Sequence, residues 1–146
     1  PKNRNPVTLP LSSQAVEILK ARKRVKDNPY VFTSRSKAGH IMDTRAPLER
    51  FSKLIGMERL SAHDLRRTFV TLGVKACRLD LAKLELLTNH IPQTITARHY
   101  LETSDLRDYH GEVQAIGDWV EEQAKIAEAV AAAENVERLE PRAKAA

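Results

Sequence analysis

His63 and Arg66, three residues apart in "SAHDLRRTF", are the first residues whose types and spacing can do chemistry. Ser61 and Asp64 have the S-x-x-D spacing of a capping box, which predicts that a helix begins there. On such a helix, residues three apart share a face with Cβ atoms roughly 5–6 Å apart, so His63 and Arg66 project together while Arg67 points elsewhere. The free amides and positive dipole end of the first turn lie beside them. A cluster of this kind can converge on one phosphate. Taken alone, the pair is also what a surface histidine beside a solvated arginine looks like.

Two more residues stand out in "LLTNHIPQTITARHYL". His90 follows one helical pattern and precedes the break at Pro92, a position from which its side chain can face a cleft. Ten residues on is Tyr100, whose phenol has an ordinary pKa of about 10 and becomes a nucleophile only if phosphate charge and basic neighbours share its proton. Each has a plainer reading, His90 as a capping or core histidine and Tyr100 as an amphipathic packing residue. Tyr109 is the rival nucleophile, but it sits among Asp105, Asp108 and Glu112, a poor setting for a phenolate. The lone Cys77 reads as a small buried thiol.

Short elements position these residues. "VTLPL" and "NPYVFTS" read as strands, the first an edge or strand end because Pro10 lacks an N–H. Ser12 or Ser13 caps a helix through "QAVEILKARKR". "TRAPLERFSKLIG" places Leu48, Phe51, Leu54 and Ile55 on one face and stops at Gly56. Leu65, Phe69 and Leu72 form the buried stripe expected for the "SAHDLRRTF" helix, and "DLAKLELLTN" is a further short helix. From Arg107 to Val136 a long Ala- and Glu-rich helix carries an apolar seam of Val113, Ile116, Val120, Ala124, Ala127 and Ala131. The expected class is therefore mainly α with a small N-terminal β element: one domain over 1–136, including the acidic helix 107–136, and a flexible tail over 137–146.

Composition narrows the function. A chain of 146 residues with 42% hydrophobic and 29% charged residues is globular in kind. It holds no run of the roughly 20 apolar residues a membrane span needs, and no signal segment opens it, so the cytoplasm is the expected compartment. Residues 1–100 carry 19 Lys and Arg against 8 Asp and Glu, whereas residues 101–146 carry 5 against 11. A basic body is the footprint of a phosphate-rich partner, and the acidic end would turn away from one. Arg22, Lys23 and Arg24 form a run able to contact phosphates, or simply a solvated helix end. The histidines at 40, 63, 90, 99 and 110 lack metal-ligand spacing, so no metal or other cofactor is expected.

Taken in order, H-x-L-R-R-T-F at 63–69, L-T-N-H at 87–90 and T-A-R-H-Y at 96–100 resemble the C-terminal half of the catalytic domain of tyrosine recombinases, the phage integrase family. The resemblance extends from Lys2 to about Trp119, because "KNRNPVTLPLS" is similar to the family's hairpin lysine and the strand after it. It implies a truncated recombinase catalytic domain that cuts and rejoins double-stranded DNA without a metal or a small-molecule substrate. Tyr100 is then the nucleophile that forms a 3′-phosphotyrosyl bond. Arg66, His63 and His90 hold the phosphate or share protons, and Lys2 protonates the leaving 5′-oxygen. Arg67, Arg98 and His99, with Arg22, Lys23 and Arg24, are the expected DNA-backbone contacts. The acidic helix either packs on its own domain or docks on a neighbour, since the family works as a tetramer on DNA.

The family carries another catalytic arginine upstream of the lysine hairpin, and only Pro1 precedes Lys2. Loss of one such donor costs about 10² to 10³ in rate. The chain by itself is therefore expected to be a weak or inactive fragment. Extending it with the upstream reading frame should restore strand cleavage, measured as nicking of duplex DNA; an extended chain that still does not cleave would contradict this.

Overall fold

The computed structural model describes residues 7–90 and 105–139, with side chains in the last helix described to residue 133. The molecule is mainly helical. Helices α1 (Ser13–Ala21), α2 (Arg45–Leu54), α3 (Ala62–Lys75), α4 (Leu81–Leu87) and α5 (His110–Leu139) follow one another, with a 3₁₀ turn at Arg107–Tyr109 leading into α5. None of the described helices is long and apolar enough to cross a membrane.

Local chemistry sets the helix boundaries. Ser12, Ser61 and Asp80 sit at the N-caps of α1, α3 and α4 in extended backbone, each side chain accepting from a first-turn amide. Gly56 follows α2 with φ +70, and its N–H donates to Lys53 O while Met57 N–H donates to Ser52 O, the paired bonds of a Schellman stop. Helix α1 ends at Ala21, short of the expected Arg24, because Arg22 leaves the helix with ψ 135. Neither expected strand forms a ladder among the described residues. Each contributes one bridge, Thr8 with Asp105 in parallel and Thr33 with His40 in antiparallel sense.

The core forms where α4 and α5 pack against α3. Leu84, Leu86 and Leu87 of α4 are buried together with Leu106 and Ile116, and Phe69, Val70, Cys77, Leu79, Tyr109 and Val113 pack around them. Leu84 lies over Gly73, where a Cβ would stand 2.6 Å from one Leu84 methyl and 3.3 Å from Ile116 Cδ1. Here the buried face of α3 departs from expectation. Gly73 is its buried residue and Leu65 is 48% exposed, so the contact stripe runs through Phe69, Val70 and Gly73.

Two other expected faces are open. Phe51, Leu54 and Ile55 of α2 are exposed. Along α5 the seam is covered only at Val113 and Ile116; Val120 is half exposed, and Ala124, Ala127 and Ala131 are exposed. A 3.6-residue pattern says that a face is apolar, and a covering element must still reach it. Polar bonds dock α1 on the covered part of α5: Ser13 N–H donates to Gln114 Oε1 (2.8 Å), and Gln14 Nε2 donates to Asp118 Oδ1 (2.8 Å) and Glu121 Oε2 (2.9 Å). The helix continues to Leu139, past the expected Val136, and residues 140–146 of the expected tail lie outside the described residues.

Gly73→Ala should destabilise the fold by about 1–3 kcal/mol, because the buried Leu84 methyls have little room to yield. Denaturant unfolding checks this, and Gly111→Ala, whose Cβ would meet nothing within 4 Å, is the matched control.

Candidate nucleic-acid interface

The start of α3 is built as its sequence predicts. Ser61 Oγ accepts from Asp64 N–H (3.2 Å) and donates to Asp64 Oδ2 (2.6 Å), which also accepts from Ser61 N–H (3.0 Å). These bonds close a complete capping box. The Ser61 hydroxyl and backbone hold the Asp64 carboxyl below its usual range, with the Arg67 and His63 charges adding to the effect. His63 is exposed on the first turn and Arg66 is half-buried one turn on. Among the described residues no side chain forms an ion pair with Arg66. Arg67 falls on another face and lines a shallow hollow with Met57, Arg59, Asp64, Thr68, Thr71 and Leu72.

His90 stands just past α4. Asn89 adopts φ 56, its N–H donates to Leu86 O (2.8 Å), and His90 N–H donates to Glu85 O (2.8 Å), a second Schellman stop with asparagine in the left-handed position. The imidazole is exposed, with Nδ1 3.1 Å from Thr88 Oγ1. This Thr88 contact was not read from the sequence. Its signal is the asparagine after a helix end, which lets residues two apart turn back on each other.

The basic run is exposed but not helical. Arg22 holds its guanidinium carbon 4.8 Å from the Phe32 ring centroid, and Arg22, Lys23 and Arg24 rim a hollow floored by Leu11, Val16, Leu19, Val25 and Val31. Tyr109 is half-buried against the core with the Lys83 ammonium 5.7 Å from its ring centroid, and Lys83 pairs with Glu112. This is a packing position. Burial pushes the Cys77 thiol up, as befits a half-buried group whose Sγ contacts Ala115 O at 3.6 Å. Among the described residues, no three histidine, cysteine or acidic side chains gather as a metal site.

Lys2, Arg98, His99 and Tyr100 lie outside the described residues. The segments that follow Lys2 and Tyr100 are nevertheless joined. Thr8 bridges Asp105 and Leu106 N–H donates to Thr8 O (2.9 Å), while Arg107 grips Asp105 through Nε at 2.9 Å. Lys2 is six residues before this bridge and Tyr100 five residues before it. No family model, curated protein or solved structure matches the chain.

Ser61→Ala should cost about 1 kcal/mol at neutral pH by removing the cap of α3. Because the folded-state Asp64 pKa is lowered, its contribution is present above the unfolded carboxylate value and is lost as pH falls through the folded one. The gap between wild type and Ser61→Ala should therefore narrow below about pH 4, as denaturant titrations at pH 7 and pH 3 would show.

Proposed function

We propose that this chain is the strand-transferring part of a site-specific DNA recombinase of the tyrosine recombinase kind, encoded by a phage or prophage and working in the bacterial cytoplasm. The observation that carries the proposal is the ordered series His63–Arg66, His90 and Tyr100, with its first pair on a fully capped helix start and its third residue at a pinned helix end.

In this reading the Tyr100 oxygen attacks phosphorus and the bond from phosphorus to the 5′-oxygen breaks, leaving a 3′-phosphotyrosyl link. Arg66 neutralises the non-bridging oxygens as negative charge grows, and a half-buried guanidinium does this better than one fully in water. His63 lies one turn away on the same face. Lys2 gives the leaving 5′-oxygen its proton, and a second DNA end reverses the sequence. Arg67, Arg98, His99 and the run Arg22–Arg24 supply contacts to the backbone, which would make binding fall steeply with salt. The open half of α5, with Val120, Ile126 and Val130 each about half exposed, suits docking on another protomer of a DNA-bound tetramer.

The experiment is covalent trapping. The chain, alone and extended by its upstream reading frame, is mixed with a pool of nicked duplex DNA, denatured in detergent, and the protein-linked DNA is sequenced. In the extended chain, wild type and Tyr109→Phe should give adducts, and Tyr100→Phe should give none. An adduct that survives Tyr100→Phe overturns the assignment. Salt-sensitive binding with no adduct from any form would instead identify a non-catalytic DNA-binding module.

A further inference from the structure

The positive charge of this chain is concentrated in one stretch. From Lys20 to His40 seven Lys and Arg residues stand against one acidic residue, Asp27, a surplus of +6 when the whole chain carries +5. The rest of the chain is therefore close to neutral in sum. Arg22, Lys23 and Arg24 account for part of this surplus. Arg35 and Lys37 occupy a second place, the exposed tip of a hairpin.

The hairpin is built to hold that tip still. Thr33 and His40 form its antiparallel bridge, Ser34 N–H donates to Gly39 O (3.0 Å), and Ile41 N–H donates to Phe32 O (3.0 Å). Gly39 turns the chain at φ +72, and its N–H donates to Ser36 O (2.9 Å). Asn28 clasps the base: its Nδ2 donates to Gly39 O (3.0 Å) and its Oδ1 accepts from Tyr30 N–H (2.9 Å). The Tyr30 and His40 ring centroids lie 4.3 Å apart, and Ser34 Oγ accepts from Ser36 N–H (3.1 Å). A tip fixed in this way loses little further freedom when it meets a partner. The base of the hairpin also carries the other basic group. Phe32, whose carbonyl helps close the hairpin, lies under the Arg22 guanidinium, and Tyr30 and Val31 line one hollow with Arg22, Lys23 and Arg24. Run and tip are parts of one surface.

We infer that the hairpin from Thr33 to His40 is a preformed contact for the phosphate backbone of duplex DNA, made by Arg35 and Lys37 and continuous with the Arg22–Arg24 run. Two exposed cations on an otherwise uncharged, hydrogen-bonded frame suit a partner whose charges repeat about every 1.7 Å along its axis. Contacts to phosphates fix the position of a protein on a duplex and carry no sequence information directly, so the hairpin adds affinity and register. The choice of DNA as the polyanion rests on the proposed function, whereas the placement of the contact does not. Neither His63 nor Arg66 takes part, so binding here is measurable without strand transfer.

The test is the salt dependence with which the chain binds a short fluorescent DNA duplex of random sequence, followed by anisotropy between about 50 and 200 mM salt. Each phosphate contact contributes about 0.9 to the slope of log affinity against log salt, so Arg35→Gln with Lys37→Gln should lower the slope by about 1.8. Lys75→Gln with Lys125→Gln removes two exposed charges, from the end of α3 and from α5, and should leave the slope unchanged. Asn28→Ala keeps every charge, loosens the base of the hairpin and should weaken binding roughly threefold. An unchanged slope in the first pair, an equal fall in the second, or no binding by wild type overturns the inference. Unaltered affinity in Asn28→Ala overturns the claim that the tip is preformed. Tighter binding of a duplex RNA overturns the choice of DNA. If the slopes are as expected and no form of the extended chain gives an adduct, the strand-transfer reading fails and the hairpin contact stands; adducts with an unchanged slope mean the reverse.

Discussion

Leu84 against Gly73 is the contact on which the rest of the structure depends. It is fully buried, it is the point where α3, α4 and α5 meet, and it exists only because α3 presents no side chain there. Leu86 and Leu87 follow it into the core, so a seven-residue helix with little stability of its own supplies three of the buried leucines. Leu106 and Ile116 then close the core from further along the sequence, which holds the turn before α5 and its first coils against residues of α4.

That packing leaves the chemistry at the helix ends. His63 and Arg66 occupy the first turns of α3, away from Gly73, and His90 stands one residue beyond the stop of α4. Helix ends carry backbone groups without intrahelical partners, and the residues that satisfy them become rigid in doing so. The Ser61–Asp64 box and the Thr88–Asn89 stop are two forms of this economy. Groups needed to hold a terminus also orient a neighbouring titratable side chain, at no further cost in ordering.

Helix ends were legible where their causes are local: Ser61 caps α3 as its spacing from Asp64 announces, the cap of α1 is Ser12 of the two serines expected there, and Gly56 ends α2 for the reason glycine usually does. Faces were less so. Leu65, Phe51 and Leu54 fit apolar stripes and are exposed, because a stripe is written in one helix and its cover in another. Arg22 departs from the helical pattern where its guanidinium meets Phe32, ten residues away. Within the candidate site, the shared face of His63 and Arg66 follows from spacing alone. The Thr88–His90 contact depends on one left-handed asparagine, a backbone choice that no periodicity encodes.

The length of α5 has an electrostatic consequence. At about 1.5 Å per residue its thirty residues span roughly 45 Å, and only the first few turns lie against the body. Glu122 and Glu128 are carried outward on this rod while Lys and Arg dominate residues 1–100. The net charge of +5 therefore conceals a strongly bipolar molecule. Near any extended polyanion such a molecule feels a torque before it feels a contact, turning its acidic rod outward and its basic body inward, so that the approach is already oriented when the surfaces meet.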